Sequence, residues 1–364
     1  MKLKELMVQL ERTFQFTWQE DYDNSGLILG DPETEIGKIL VTLDVTIPVL
    51  NEAVENGCNL IIAHHPFIFK GIRKIIPDQL ESSILISAIR GNIAIIAIHT
   101  NLDNALHGLN SYLGGKLGMK NISVLQPKTG LLSKFVTFCP NNFAEKVRNA
   151  LFDAGAGYIG NYDCCSYNLQ GEGTFRGSDS TNPFVGEKNK LHKEKETRIE
   201  VIFPNSIQEN LIQALKCNHP YEEVAYDIYP LANRLATTGP GIIGDFPESV
   251  SEMVVLLRIK EMLEIPVIRH SPLRNRLIKR IAICSGSGSP LIPQTIQAGA
   301  DMYITADLKY HDFFLSEDKI ILCDIGHYES EKWVKDILAQ TLNDFFPNFA
   351  TVISSVNTNQ INYF

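Results

Sequence analysis

The amino-acid sequence predicts an α/β protein: a split α/β sandwich core interrupted by a ferredoxin-like α+β insertion. Three observations carry that expectation. Near-continuous apolar runs such as LIIA, IAIIAI and IILC alternate with amphipathic stretches in the first and last thirds of the chain, as in strands covered by helices on both faces. Two turn-rich breaks, Gln126-Pro127-Lys128-Thr129-Gly130 and TTGPGIIG, bracket the middle. Between them the order becomes strand, helix, strands, strand, helix, strand, which is a split βαβ plan. Residues 1–126 and 237–364 are therefore the two halves of the core, and 127–236 the insertion.

Taken in order, MKLKELMVQLERTF is an amphipathic helix with both charge signs, and it lacks the uninterrupted apolar stretch of a signal peptide. After DNSGLILG come a strand at 38–44 (KILVTLD), a helix over 46–57, a strand in NLIIAHH, a helix over 79–90, the strand IAIIAIH and a helix near 107–117. In the insertion KFVTFCP is a strand, NFAEKVRNALFDAG a helix, 163–176 antiparallel strands, TRIEVIFP a strand, NSIQENLIQALK a helix and VAYDIYPL a strand. The charged run EKNKLHKEKETR at 187–198 is expected to be a solvated loop. Alternation then resumes with a helix at 250–263, the strand IKRIAIC, a helix near 290–298, strands MYIT and KIILCDIG, a helix at 328–344 and a last strand, ATVISS.

At 364 residues the chain fits two domains, or one interrupted by another. With 44% hydrophobic and 21% charged residues it has an ordinary globular composition. A net charge of −9 does not favour nucleic acid as the main partner, because neutralising phosphates takes clustered Lys and Arg. The longest apolar runs fall far short of the roughly 20 residues of a membrane span. Seven cysteines without a CxxC pair match neither a disulfide framework nor a zinc ribbon, and place the chain in a reducing cytoplasm. Cys58, Cys284 and Cys323 are expected as small buried residues, and the vicinal Cys164-Cys165 pair is not favoured as a redox couple.

Three stretches end apolar runs with metal-ligating side chains: IIAHHP, IHTNLD and CDIGHYESE. They supply His64, His65, Asp103, His327 and Glu331, the ligand set of a two-metal site. Successive side chains on an extended strand point to opposite faces, so His64 and His65 are expected to serve one ion each. His327 and Glu331, four apart at a helix start, share one face, and that carboxylate could bridge both ions. Each piece also has an ordinary reading, a hydrogen-bonded His pair or a surface HxxxE contact. Their common position at the carboxyl ends of apolar runs, where open α/β sheets bind ligands, favours a site. Imidazole and carboxylate without thiolate suit two divalent ions, with zinc first and iron, manganese or cobalt also fitting. Five ligands over two ions leave open positions for water and substrate, which favours hydrolysis.

His99 is either a proton shuttle or support for a ligand, or a satisfied histidine at a strand end. Asp44 either orients a ligand histidine or caps the next helix. In TADLKYHD, Asp307 and His311 lie near another strand end, and His311 is a further acid–base candidate. CSGSGSPLI could cradle a phosphate, though a tight turn explains it better. His107, His192, His219 and His270 are expected to be exposed.

The segments DNSGLILG, LDVT, LIIAHHPFIF, HTNLDNA, TADLKYHD and GHYESE, in that order, resemble the Nif-three-like dinuclear metal centre family, often labelled GTP cyclohydrolase 1 type 2 homologues. GYIGNYDCCSYNLQGEGTFRG and NHPYEEVAYDIYPL look like that family's optional PII- and CutA-like insertion. The resemblance implies a D3-like homohexameric toroid with a metal pair per core. It gives the ligand roles to His64, His65, Asp103, His327 and Glu331, and implies hydrolysis of a nucleotide-like small molecule. The competing expectation is a non-catalytic, metal-stabilised ring whose insertion binds an effector.

Overall fold

The computed structural model describes residues 1–364, which form two units: Met1–Pro127 with Thr237–Phe364, and Lys128–Ala236. In the first unit the chain runs through α1 (Leu3–Thr13), β1 (Gly26–Leu29), β2 (Lys38–Thr42), α2 (Ile47–Glu55), β3 (Leu60–Ala63), α3 (Leu80–Arg90), β4 (Ala94–Ala97), α4 (Thr100–Asp103), α5 (Leu109–Lys116) and β5 (Lys120–Val124). The second unit holds β6 (Leu132–Pro140), α6 (Ala144–Asp153), β7 (Tyr167–Phe175), β8 (His192–Pro204), α7 (Gln208–Asn218) and β9 (Tyr226–Pro230). Back in the first unit follow β10 (Ile242–Ser251), α8 (Glu252–Leu263), β11 (Arg269–His270), β12 (Leu277–Ser287) and α9 (Ile292–Gln297). The chain ends with β13 (Met302–Ala306), β14 (Ile321–Asp324), α10 (His327–Glu331), α11 (Val334–Phe345) and β15 (Ala350–Ile353). The fold is mixed α/β, with several sheets.

Two sheets build the first unit. One has the order β1-β4-β3-β2-β15, with β15, β2, β3 and β4 parallel and β1 antiparallel at the edge. The other has the order β11-β14-β13-β12-β10-β5, with a parallel centre of β12, β13 and β14. Each half of the chain lends an edge strand to the other half's sheet, β15 to the first and β5 to the second. The parallel strands are buried on both faces. Along β2, Ile39 and Val41 join a core that also takes Leu6, Ile281 and Ile304, while Leu40 packs against Val49, Ile61 and Ile84 on the other side. Removing each such side chain from water contributes about 1.5–3 kcal/mol. α2 begins where Thr46 Oγ1 accepts the Val49 N–H at 3.4 Å, with a proline in the first turn.

The second unit is one antiparallel sheet ordered β7-β8-β6-β9. Phe135, Val201 and Phe203 of its strands pack with Val147, Leu151, Leu211 and Leu215 of its two helices.

Several expectations need correction. The run 187–198 is not all loop: β8 begins at His192 and pairs with β7 from there. Exposure alternates along HKEKET, with Lys193 and Lys195 exposed and His192, Glu194 and Glu196 half-buried, as in a strand with one wet face. One strand, β7, stands where 163–176 predicted more than one. The helix expected at 328–344 is two, α10 and α11, with no Gly or Pro at 332–333 to announce the break. β10 went unread because Pro247 sits inside it, at a register shift between Asp245 and Val250. His219 is buried, its Nε2 on the Phe138 carbonyl at 2.9 Å and its Nδ1 accepting the Tyr221 N–H at 3.1 Å, and burial lowers its pKa. His192 is half-buried against Glu194. Cys58, Cys284 and Cys323 are buried as expected. No helix is long and apolar enough to cross a membrane.

The entry to β12 depends on one buried carboxylate. Glu252 is 4% exposed and accepts the backbone N–H groups of Arg274, Asn275 and Arg276 at 3.0–3.2 Å. Orphaned buried donors cost about 1–3 kcal/mol each. Glu252→Ala is expected to lower unfolding free energy by at least about 2 kcal/mol in urea titration, and Glu252→Gln by less. Equal stability of Glu252→Ala and wild type would show that water replaces the carboxylate.

Candidate metal centre

The carboxyl ends of parallel strands, and the short helices that follow them, supply most side chains of the site. His64 and His65 directly follow β3, Asp44 lies two residues beyond β2, and His99 two beyond β4. Asp103 ends α4. From the other sheet, Asp307 directly follows β13, while His327 and Glu331 are the first and last residues of α10, after β14. These are the positions at which parallel α/β sheets collect ligands.

His64 and His65 do not point to opposite faces, contrary to the expectation for an extended pair. β3 ends at Ala63, and the two residues lie in a bend beyond it, their N–H groups still on the carbonyls of Thr42 and Leu43. Their rings lie 4.9 Å apart, in the same cleft. Glu331, 2% exposed, stands between them. Its Oε1 is 3.9 Å from His64 Nε2, and its Oε2 is 3.0 Å from both His65 Nε2 and His327 Nε2. Asp103 Oδ2 lies 3.7 Å from His64 Nε2. Two ligand groups result, His64/Asp103/Glu331 and His65/His327/Glu331, sharing one carboxylate. His99 forms a third group with His64 and His65, donor atoms within 4.8 Å.

The proton positions are set by what each Nδ1 meets. His64 Nδ1 lies 2.8 Å from the Ile98 carbonyl, which can only accept, so Nδ1 carries the hydrogen. The other three repeat the arrangement with carboxylates: His65 Nδ1 to Asp44 at 2.7 Å, His99 Nδ1 to Asp23 at 2.6 Å, and His327 Nδ1 to Asp307 at 2.6 Å. Outer acceptors of this kind fix the tautomer of metal-bound histidines. In the neutral rings the Nε2 lone pairs turn inward, toward Asp103 and Glu331. His64 Nε2 and Asp103 Oδ1 are buried without a hydrogen-bond partner. A buried imidazole lone pair facing carboxylates could hold a cation, and imidazole with carboxylate fits divalent ions.

Protonation states agree. Complete burial pushes His64 down to about 3, so its ring is neutral. Burial also opposes the charge on His65 and His327, but carboxylates outweigh it: Asp44 and Glu331 raise His65 to about 10, and Glu331 and Asp307 raise His327 to about 9. Burial and the Glu331 charge push Asp103 well up, whereas the facing His327 and His65 hold Glu331 well down against its own burial. The protons on His65 and His327 face three carboxylates held ionised, Glu331, Asp44 and Asp307.

Backbone details make room. Gly286 of β12 has φ +60°, and a Cβ there would overlap Glu331 Oε1. Its N–H donates to Ser330 Oγ at 3.0 Å, tying β12 to α10. Asp307 is left-handed at φ 57°, a conformation few non-glycine residues adopt, and Ser287 Oγ donates to the carboxylate that holds His327.

His64, His65, Asp103, His327 and Glu331 thus come together, and His99 lies beside them. Asp44 orients His65, while Thr46 caps the helix, which decides between its two readings. His311 is exposed, its ring against Tyr310 and Phe314, and does not line the cleft. The Gly/Ser turn after Cys284 lines the cleft. Sequence reasoning missed Asp23, although it opens DNSGLILG, and Thr358, whose hydroxyl donates to Asp44 Oδ2 at 2.5 Å from the carboxyl-terminal segment. Asn359 of the same segment donates to Glu329 Oε1 on α10 at 3.0 Å.

The family described as Duf34/NIF3 (NGG1p interacting factor 3) matches residues 1–360. A Halalkalibacterium halodurans protein named GTP cyclohydrolase 1 type 2 homolog is 36% identical, over 94% of this chain and 93% of its own. A Staphylococcus epidermidis protein of the same name is 34% identical, with 100% of both chains covered. Among solved structures, a Bacillus cereus protein related to NIF3 is similar with a TM-score of 0.86 at 34% identity, over 100% of this chain and 99% of its own.

The raised values of His65 and His327 predict the pH dependence of ion binding. An ion in their group displaces protons held up to about pH 9, so affinity rises with pH below that point. Chelator competition with zinc at pH 6.5, 7.5 and 8.5 should show tightening of roughly tenfold per pH unit for each displaced proton. Flat or falling affinity would contradict the proton bookkeeping of the site.

Proposed function

The chain belongs to the Duf34/NIF3 family, and from its cleft we propose that it is a dinuclear metal-dependent hydrolase acting on a nucleotide or related small molecule. One observation carries the reading: two ligand groups share the buried carboxylate of Glu331, with every facing imidazole held by an outer acceptor. We assign zinc first, then iron, manganese or cobalt, because the donors are imidazole and carboxylate. Cys284 lines the cleft, but burial pushes its thiol up to about 12, so no thiolate competes. Bound there, two divalent ions would supply Lewis acidity and lower the pKa of water.

The chain's own residues do the rest. Asp44 and Asp307 hold His65 and His327 in the ligating tautomer. His99, fixed by Asp23, keeps Nε2 toward the cleft and is placed to accept a proton from water and return it to a leaving nitrogen or oxygen. Hydrolytic opening of a purine ring, the reaction that the relatives' name brings to mind, and phosphoester hydrolysis would use the same groups. We take the inserted unit as ferredoxin-like, supported by its strand order and two helices on one core. A cytoplasmic homohexamer completes the proposal, its mass in solution being the check.

A second reading, a metal-stabilised ring whose insertion binds an effector, is favoured by a cavity of about 670 Å³ in the inserted unit, walled by Phe138, Phe175, Phe184 and Tyr221. The two separate cleanly. Zinc-loaded protein is expected to hydrolyse at least one member of a nucleotide, nucleoside and phosphoester panel, with His327→Ala and Asp103→Asn losing at least about a hundredfold in kcat/KM. No turnover across the panel, together with an intact cellular phenotype for His327→Ala, would favour the ring.

A further inference from the structure

The cleft over the metal groups measures about 930 Å³, within the range of small-molecule sites. Its charge inventory is one-sided. Glu20, Asp44, Glu81, Asp103 and Glu331 line it, and no lysine or arginine does. Even two divalent ions leave those five carboxylates in excess by one. Lys70, Arg73 and Lys74 follow Phe69 on an exposed stretch but are not part of the lining. A phosphate chain entering here would meet these carboxylates with no lysine or arginine to receive it beside the metals and the Gly/Ser turn, and like-charge contact disfavours binding.

The apolar wall is equally specific. Tyr22, Phe67, Phe69, Leu80 and Ile84 line the cleft, and Tyr22, Phe69 and Leu80 remain 70%, 48% and 71% exposed. Large apolar side chains left open at the mouth of a polar site mark a contact surface. The Phe69 ring meets His99 edge-on at 5.8 Å, next to the ligand groups. A flat ring resting on Phe69 would therefore lie beside the reacting centre, with its N–H edges toward carboxylates that can only accept.

From these two inventories we infer that the cleft selects an uncharged or cationic planar nitrogen heterocycle of nucleobase or nucleoside size, and discriminates against polyphosphates. The inference rests on the hydrolase reading of this cleft and narrows its substrate. Hydrolytic ring opening consumes one water: a C–O bond forms, the ring C–N bond breaks, and the leaving nitrogen takes a proton. No oxidant or reductant is needed.

The test holds the base constant and varies charge. Guanosine, GMP and GTP are titrated calorimetrically into the full chain, fully loaded with zinc and without excess metal, at low ionic strength, with metal content checked afterwards. Guanosine is expected to bind at least tenfold more tightly than GTP, with GMP between. Phe69→Ala should weaken guanosine about tenfold, and Glu81→Lys should narrow the guanosine–GTP gap. GTP binding as tightly as guanosine, no guanosine binding, or an unchanged affinity in Phe69→Ala would each overturn the inference. Because binding is read without turnover, the order can hold while hydrolysis fails, and tight GTP binding with hydrolysis would sink only the substrate class.

Discussion

Everything in the first unit converges on one electrostatic constraint: a buried carboxylate, Glu331, faced by imidazole nitrogens whose other nitrogens are already committed. His64, His65, His99 and His327 each give Nδ1 to an acceptor on the far side of the ring from Glu331. Each ring therefore turns Nε2 inward, as a lone pair at His64 and with a proton held by the carboxylates at His65 and His327. Uncompensated charge of this kind in a protein interior costs several kcal/mol, and groups so placed either pair, titrate or bind a cation. The outer acceptors serve the second and third outcomes alike, since they fix Nε2 inward whether it carries a proton or a metal.

The fold supplies this constraint through strand ends. Parallel strands bring consecutive carboxyl termini to one edge, so β2, β3 and β4 deliver Asp44, the His64-His65 pair and His99 side by side. β13 and β14 do the same for Asp307 and α10. The exchange of β15 and β5 between the sheets unites the two chain halves in one unit, so ligands from opposite ends of the sequence keep a fixed spacing. The carboxyl-terminal segment adds to this, with Thr358 on Asp44 and Asn359 on the helix bearing His327 and Glu331.

What the sequence disclosed follows from the range of the interactions involved. His64-His65 and His327-Glu331 are local patterns, and their place after apolar runs is visible without coordinates. The meeting of His327 and Glu331 on one side of α10 was legible from their i, i+4 spacing. Asp23 and Thr358 were not, because each meets its partner across a long stretch of chain and sits in a segment without periodicity. The alternation rule misled for His64 and His65 because the strand ends one residue before them. Short exposed strands such as β5, and β10 with its internal proline, escaped for lack of an apolar run. His311 reads like a site residue by its distance from a strand end, yet the intervening turn carries it to the surface.

The central proposal is that the two ligand groups sharing Glu331 would hold a pair of cations. Metal content per chain tests it most directly, measured by mass spectrometry on protein purified without added metal, for wild type and Glu331→Gln. Two divalent ions per wild-type chain, with neither retained in full by the variant, is the expected result. Wild-type protein free of bound metal even after incubation with zinc, or a variant that keeps both ions, would contradict the account.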